Sequence, residues 1–307
     1  RFIMLMRKPK TDVEAALLAE KILEGNTHDV VMRVGRADLL SNLDNWGLFV
    51  SFSDAGLIVD AISIMRGSLC GVNVPTTLLH GVIKSIGTDR HQFNDGFELT
   101  GVETPYPVLF GGGEEVRISM MIGHNMFALP RNERARGMFT AHAGNVLIPD
   151  RIRVNTAHVI ALYSEEALLS NIFYSLRLKC GADKALVVWL NTTFGVLTVL
   201  AKREETEGVF TRLNNGQWKV LPVLDVCALD SDVLKRLNDV FDKYAKTRFR
   251  RIPEQYGDDP DPARLSFDLD FLKALNPSID EDKAKQCLIN LYAKLGKALR
   301  MWMGENS

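Results

Sequence analysis

"NVLIPDRIRVNT", Asn145–Thr156, joins two patterns in twelve positions. Its first half is apolar and stops at Pro149; its second alternates Arg151, Ile152, Arg153, Val154, Asn155, Thr156. Successive side chains of an extended strand point to opposite faces. The second half therefore predicts a strand with Ile152 and Val154 in a core and with Arg151, Arg153 and Asn155 along one polar face. At ~3.3 Å per residue the two arginines stand roughly 6.5–7 Å apart, close enough to hold one ligand backbone together. The competing explanation is internal: Arg151 pairs with Asp150 or another carboxylate and fixes the strand.

Upstream and downstream, the chain alternates strand and helix signals. "FIMLM" (Phe2–Met6) reads as a buried strand ended by Lys8 and Pro9, and "TDVEAALLAEKILEG" as a helix opened by Thr11 and Glu14 at capping-box spacing. "DVVMRVGRADLL" and "NWGLFVSF" are strand-like, whereas "DAGLIVDAISIMRG" and "PTTLLHGVIKSIG" read as helices, the latter with Pro75 in its first turn. From Gly96 to Ser164 the pattern is mostly strands: "GFELTGV", "YPVLF", "VRISMMI", "NVLI" and "RIRVNTAHVIALY". "ADKALVVWLNTTFGVLTVLAKRE" predicts a long apolar helix opened by Asp183, and "LDSDVLKRLNDVFDKYAK" another helix. "YGDDPDPARLS" is rich in Asp and Pro and predicts an exposed linker over Gly257–Ala263. Beyond it, "DEDKAKQCLINLYAKLGKALRMWM" is amphipathic, with Leu288, Leu291, Leu295 and Leu299 near one face. The expected fold class is α+β: a mixed α/β domain followed by a helical C-terminal region.

Composition bounds the function. A chain of 307 residues with 46% hydrophobic and 24% charged residues can bury a core. Its formal net charge of −1 argues against a general nucleic-acid coat but leaves room for a local basic face. Cys70, Cys180, Cys227 and Cys287 are scattered without a C-x-x-C pair, so neither a zinc pattern nor a disulfide framework is expected, and a reducing cytoplasm is the default location. No run approaches the ~18 apolar residues of a membrane helix. A chain that opens on "FIMLM" after Arg1 is expected to be a piece of a longer protein.

Familiar catalytic signatures are missing. "FGGGEEV" (Phe110–Val116) lacks the Lys-Ser/Thr of a phosphate loop, and Glu114 sits where an F-x-G-x-G cofactor loop needs its last Gly; a surface turn is the expected structure. The six histidines are dispersed without H-E-x-x-H spacing, and there is no G-x-S-x-G elbow. A free-standing enzyme is the least favoured of three readings.

The order "VLIPDRIRVNTAHVIALYSEEALLSN", "ALVVWLNTTFGVL", "KVLPVLDV", "LKRLNDVFDKY", closing on "RLSFDLDFLKALNP" and "CLINLYAKLGKAL", resembles the region after the catalytic domain in bacterial DNA adenine methyltransferases of restriction–modification type, of the type I and type IIG kind. The likeness runs from about Asn145 to the C-terminus; residues 29–144 match loosely. It implies the end of a truncated methyltransferase domain and a linker helix over 1–28, a target-recognition domain over 29–256 and a helical region over 257–307. The family's Asn/Asp-Pro-Pro-aromatic tetrapeptide is absent, so no catalytic residue and no cofactor are expected in this chain, with S-adenosylmethionine belonging to the missing catalytic domain. The implied partner is double-stranded DNA.

Arg and Asn read guanine and adenine edges and hold phosphates. The candidate DNA-binding residues are therefore Arg131, Arg134 and Arg136 in "RNERARG", Arg151, Arg153, Asn155, Asn191 and Arg203, with Lys202 and "KTRFRR" (Lys246–Arg251) as further basic residues. The bland alternative for "RNERARG" is a solvated loop neutralised in part by Glu133, and for "WLNTTFG" (Trp189–Gly195) a polar kink bonded to backbone carbonyls. A second hypothesis makes the chain an interaction module, its C-terminal helix docking on a methyltransferase or restriction subunit; against it stands a helix packed on its own domain.

Overall fold

The apolar, Val- and Leu-rich runs in the middle of the chain pair into a seven-stranded sheet around which the helices gather. A computed structural model describes residues 2–5, 11–24, 31–34, 52, 54–205 and 210–303. The strands are β1 (Phe2–Leu5), β2 (Val31–Val34), β3 (Ser68–Leu69), β4 (Val72–Asn73), β5 (Thr76–Leu78), β6 (Ile83–Ile86), β7 (Phe97–Thr100), β8 (Pro107–Leu109), β9 (Met126–Pro130), β10 (Gly144–Pro149), β11 (Arg151–Arg153), β12 (Leu162–Ser170), β13 (Phe173–Leu178), β14 (Glu204–Glu205), β15 (Phe210–Arg212) and β16 (Pro222–Leu224). The helices are α1 (Asp12–Glu24), α2 (Ala55–Met65), α3 (Leu79–Val82), α4 (Arg90–Gly96), α5 (Glu115–Ile118), α6 (Glu133–His142), α7 (Asp183–Asn191), α8 (Thr193–Ala201), α9 (Asn215–Lys219), α10 (Ser231–Tyr244), α11 (Pro262–Leu275) and α12 (Glu281–Met303). This is an α+β fold. "NWGLFVSF" lies outside the described residues except for Phe52.

The large sheet runs β6-β13-β10-β12-β8-β9-β7, antiparallel except for the parallel pair β12–β8. At Asp150 the chain leaves it. Strand β10 ends on Pro149, and β11 pairs instead with β15 in a separate three-stranded sheet, β11-β15-β14. The two patterns of "NVLIPDRIRVNT" are thus strands of two different sheets. Pro149 marks the change, its carbonyl accepting the indole N–H of Trp218 at 3.0 Å. The β1–β2 pair is antiparallel.

Three stretches depart from their local reading. "PTTLLHGVIKSIG" is a helix only at Leu79–Val82; Thr76–Leu78 pairs with Pro222–Leu224, and Ile83–Ile86 joins the large sheet. Tertiary pairing of the β-branched residues overrides the helical spacing. "VRISMMI" is the short helix α5 followed by a single bridge, Met121 to Tyr163. "RNERARG" is no loop: Asn132 caps the helix α6 by accepting the Ala135 N–H at 2.9 Å.

The long apolar helix is two helices, α7 and α8, bent by 73° at Thr192. Thr192 stops the first by bonding the Trp189 carbonyl (2.7 Å) and starts the second by accepting the Gly195 N–H (3.2 Å). Every residue of α8 is buried. Among the described residues no single helix is long and apolar enough to cross a membrane. Inside the bend lies a buried ionic cluster. Asp268 accepts the Thr193 backbone N–H (3.0 Å), the Thr193 hydroxyl and the Tyr292 phenol (2.6 Å). Arg264, 3.7 Å from Asp268, donates to Gln255 (2.8 Å) and to the Asn191 carbonyl.

The helical end is welded to this core. Leu288, Leu291, Leu295 and Leu299 of α12 are all buried, so that helix packs on its own chain. Asp258 and Asp259 are exposed as expected of a linker, but Gly257 is buried against Gly296, and Asp261 is buried, accepting the Arg250 N–H at 2.8 Å. The expectation of a wholly exposed segment over Gly257–Ala263 is therefore corrected: its two ends are tied in. The cysteines also correct their reading, pairing as Cys70–Cys287 and Cys180–Cys227 across 217 and 47 positions. Spacing in sequence gave no hint of partners that far apart.

Candidate nucleic-acid interface

Strand β11 presents the expected face. Ile152 and Val154 are 3% and 4% exposed, while Arg151 and Arg153 are exposed. Across the ladder, Arg151 lies opposite Arg212 and Ile152 opposite the buried Thr211, so Arg212 extends the same polar face. Asp150 lies 3.7 Å from Arg151 and 3.5 Å from Arg212, and Glu204 is opposite Arg212 in the β15–β14 ladder. Asp150 also accepts the Tyr174 hydroxyl at 3.1 Å. Burial, reinforced by that carboxylate, pushes the Tyr174 phenol up to about 12. The pairing anticipated between Arg151 and Asp150 exists, yet at this distance and exposure it leaves the guanidinium reachable. Arg212 was missed because its strand is only three residues long; its register opposite Arg151 emerges only from the fold.

Other candidates are placed differently. Asn155 is not in the row: the strand ends at Arg153, Asn155 is in the turn that follows, and its side-chain oxygen is buried. Asn191 is 0% exposed. Its amide oxygen accepts Ile160 N–H (2.6 Å) and Ala161 N–H (3.1 Å), and its NH2 donates to the carbonyls of Ala161 (2.7 Å) and Val187 (3.0 Å). A fully bonded interior amide has nothing left for a base edge, so the reading of Asn191 as a DNA contact is withdrawn. Arg203 lays its guanidinium 3.4 Å from the ring centre of Trp302, stacked rather than projecting. In "KTRFRR", Phe249 is buried while Arg250 and Arg251 pair with Asp259 (3.7 Å) and Glu254 (3.4 Å).

Arg131, Arg134 and Arg136 are exposed at the start of α6. Arg131 is 3.8 Å from Glu98 and Arg136 is 2.8 Å from Glu133, the neutralisation foreseen for that segment. Arg134 instead lines a groove of about 710 Å³ along β6, one of the two edge strands of the large sheet. Lys84 of β6 and Lys219 of α9 line it too, with His80 and His142. Among the described residues no carboxylate lines this groove. Arg212 and Asn215 are three positions apart, within roughly 10 Å of chain, so α9 joins the groove to the arginine face of β11.

No protein-family model and no curated protein matches this sequence. Among solved structures, the fold is similar to part of the type IIG restriction endonuclease BpuSI, at a TM-score of 0.51 and 10% identity, over 90% of this chain and 36% of that one.

Proposed function

We propose that this chain is the DNA-recognition part of a restriction–modification protein, binding duplex DNA through the polar face of β11 and β15. The observation that carries the reading is the arrangement of Arg151, Arg153 and Arg212 on one exposed face, three arginines beside Asp150 and with Glu204 opposite Arg212 at the far strand. Guanidinium groups spaced along a strand hold successive phosphate oxygens bidentately and stay charged. Arg131, Arg134 and Arg136 at the start of α6 supply further phosphate contacts. Support also comes from the likeness in fold to a type IIG restriction endonuclease, of whose length this chain spans 36%. Sequence readout then belongs to side chains that enter a groove from this platform, and catalysis to a methyltransferase that brings its own S-adenosylmethionine. Residues 29–256 form the recognition domain in this reading, and 257–307 its helical brace.

The test is binding of the chain to duplex DNA as salt is varied. Phosphate contacts release condensed counterions, so the logarithm of affinity falls with the logarithm of salt by ~0.9 per contact. A steep slope is expected; no binding at low salt, or binding insensitive to salt, overturns the proposal. The alternative, docking on a restriction or methyltransferase subunit without DNA contact, predicts no binding to duplex at low salt.

A further inference from the structure

The groove along β6 carries more than surface charge. Lys84, Arg134 and Lys219 come from three separate elements, β6, α6 and α9, and none has an ion-pair partner among the described residues. The lining also contains buried polar atoms without a hydrogen-bond partner there: Thr88 Oγ1, His142 Nδ1 and Asn215 Oδ1. Thr88 is only 4% exposed, so its hydroxyl is shielded from bulk water and still unbonded. Buried polar groups in folded proteins are nearly always satisfied, and one that is not calls for a water, an ion or a ligand. The carboxylates next to lining residues in sequence are engaged: Asp89 caps α4 by accepting the Gln92 N–H at 2.9 Å, and Glu133 pairs with Arg136 at 2.8 Å.

A lysine on an edge strand is an ordinary guard against strand pairing between molecules. That explains Lys84 alone. It does not bring Arg134 and Lys219 to the same groove, nor leave the Thr88 hydroxyl unbonded on its wall. Three unpaired cations, a hydroxyl and an imidazole suit an anion that accepts several hydrogen bonds at once, and tetrahedral phosphate is that anion. The lining among the described residues holds no Phe, Tyr or Trp ring on which a base would stack. We propose that this groove is a phosphate-binding site, separate from the β11 face, in which Lys84, Arg134 and Lys219 neutralise phosphate oxygens and the Thr88 hydroxyl donates to one of them. The phosphate belongs either to a nucleic-acid backbone, in which case the site rests on the DNA reading above, or to a free polyphosphate.

The experiment compares the full chain with three paired variants: Lys84→Gln with Lys219→Gln in the groove, Arg151→Ala with Arg153→Ala on the strand face, and Lys235→Gln with Lys285→Gln at exposed positions elsewhere. Each is titrated with a short DNA duplex and with inorganic tripolyphosphate. The groove pair should lose at least tenfold in affinity for one of the probes while the remote pair stays within twofold. Loss with tripolyphosphate identifies a free polyphosphate site, which the strand-face pair leaves intact; loss with duplex alone assigns the phosphate to DNA. Thr88→Val gives an independent check, since it removes an unbonded hydroxyl and keeps the shape. It should weaken the same probe about threefold or more with an unchanged melting temperature. If the groove pair and the remote pair behave alike with both probes, the site does not exist, and the DNA reading is then judged on the strand-face pair by itself.

Discussion

Arg151 and Arg212 stand directly opposite each other across the β11–β15 ladder, and Asp150 lies within 3.7 Å of one and 3.5 Å of the other. Like charges facing across a ladder are unfavourable; Asp150, shared between the two, offsets this, and Glu204 stands opposite Arg212 on the next strand. In the DNA reading, a backbone phosphate completes the neutralisation. Asp150→Asn should accordingly tighten duplex binding, because removing one repulsive charge at ~4 Å in water is worth about 1 kcal/mol, roughly fivefold. Fluorescence anisotropy at low salt measures it; weaker binding would mean that Asp150 organises the arginines rather than competing for them.

Asn191→Ala should destabilise the fold by about 3 kcal/mol or more. It strands the Ile160 and Ala161 N–H groups and the Ala161 carbonyl in the core, and each unsatisfied buried group costs ~1–3 kcal/mol. Denaturant unfolding reads the loss. The variant that remains folded should bind DNA with the parent's salt slope, as expected of a residue that never touches the ligand.

That position also shows what a linear sequence hides. "WLNTTFG" announces a polar interruption in an apolar helix, and the kink at Thr192 was legible as an alternative. That the Asn191 amide would be swallowed depended on Ile160 and Ala161, 31 and 30 positions upstream, whose backbone groups it bonds. The alternation of "RIRV" was readable because its period is local, and both arginines emerged where expected. Asn155 was misplaced because the ladder with β15 ends at Arg153. The β6 groove was invisible for the same reason as the cysteine pairs: its walls are assembled from segments beginning at His80, Arg134 and Asn215. The helix expected in "LDSDVLKRLNDVFDKYAK", a local pattern, spans Ser231–Tyr244.

The disulfides differ in the loop they close, and their removal should rank accordingly. In the chain-entropy view, joining residues 217 apart limits the unfolded chain more than joining residues 47 apart, by about 5 against about 4 kcal/mol. Cys70→Ser with Cys287→Ser should therefore lower the melting temperature more than Cys180→Ser with Cys227→Ser. A non-reducing melt of both pairs decides it; the reverse order would show that local packing outweighs loop entropy.

Alkaline pH should unfold the chain through its buried phenols. Burial, aided by Asp150 and by Asp270 respectively, raises Tyr174 and Tyr244 to about 12 from the ordinary 10.0. A folded value above the unfolded one means the native state holds the proton more tightly, so their stabilising contribution is complete below about pH 10 and is lost as pH climbs through about 12. Ultraviolet titration of the phenolates should show these tyrosines ionising together with loss of structure; early ionisation in the folded chain would contradict the assignment.

The most direct test of the DNA reading is the salt dependence of duplex binding by Arg151→Ala with Arg153→Ala, set beside its thermal melt. Both side chains are exposed and Arg151's ion pair is weak by position, so the melting temperature should hardly move, within the ~0–1 kcal/mol of a surface pair. Affinity should fall for every duplex, and the slope of log affinity against log salt should flatten by about one unit per lost arginine. An early melt with an unchanged salt slope would contradict the account and make the two arginines supports of the strand.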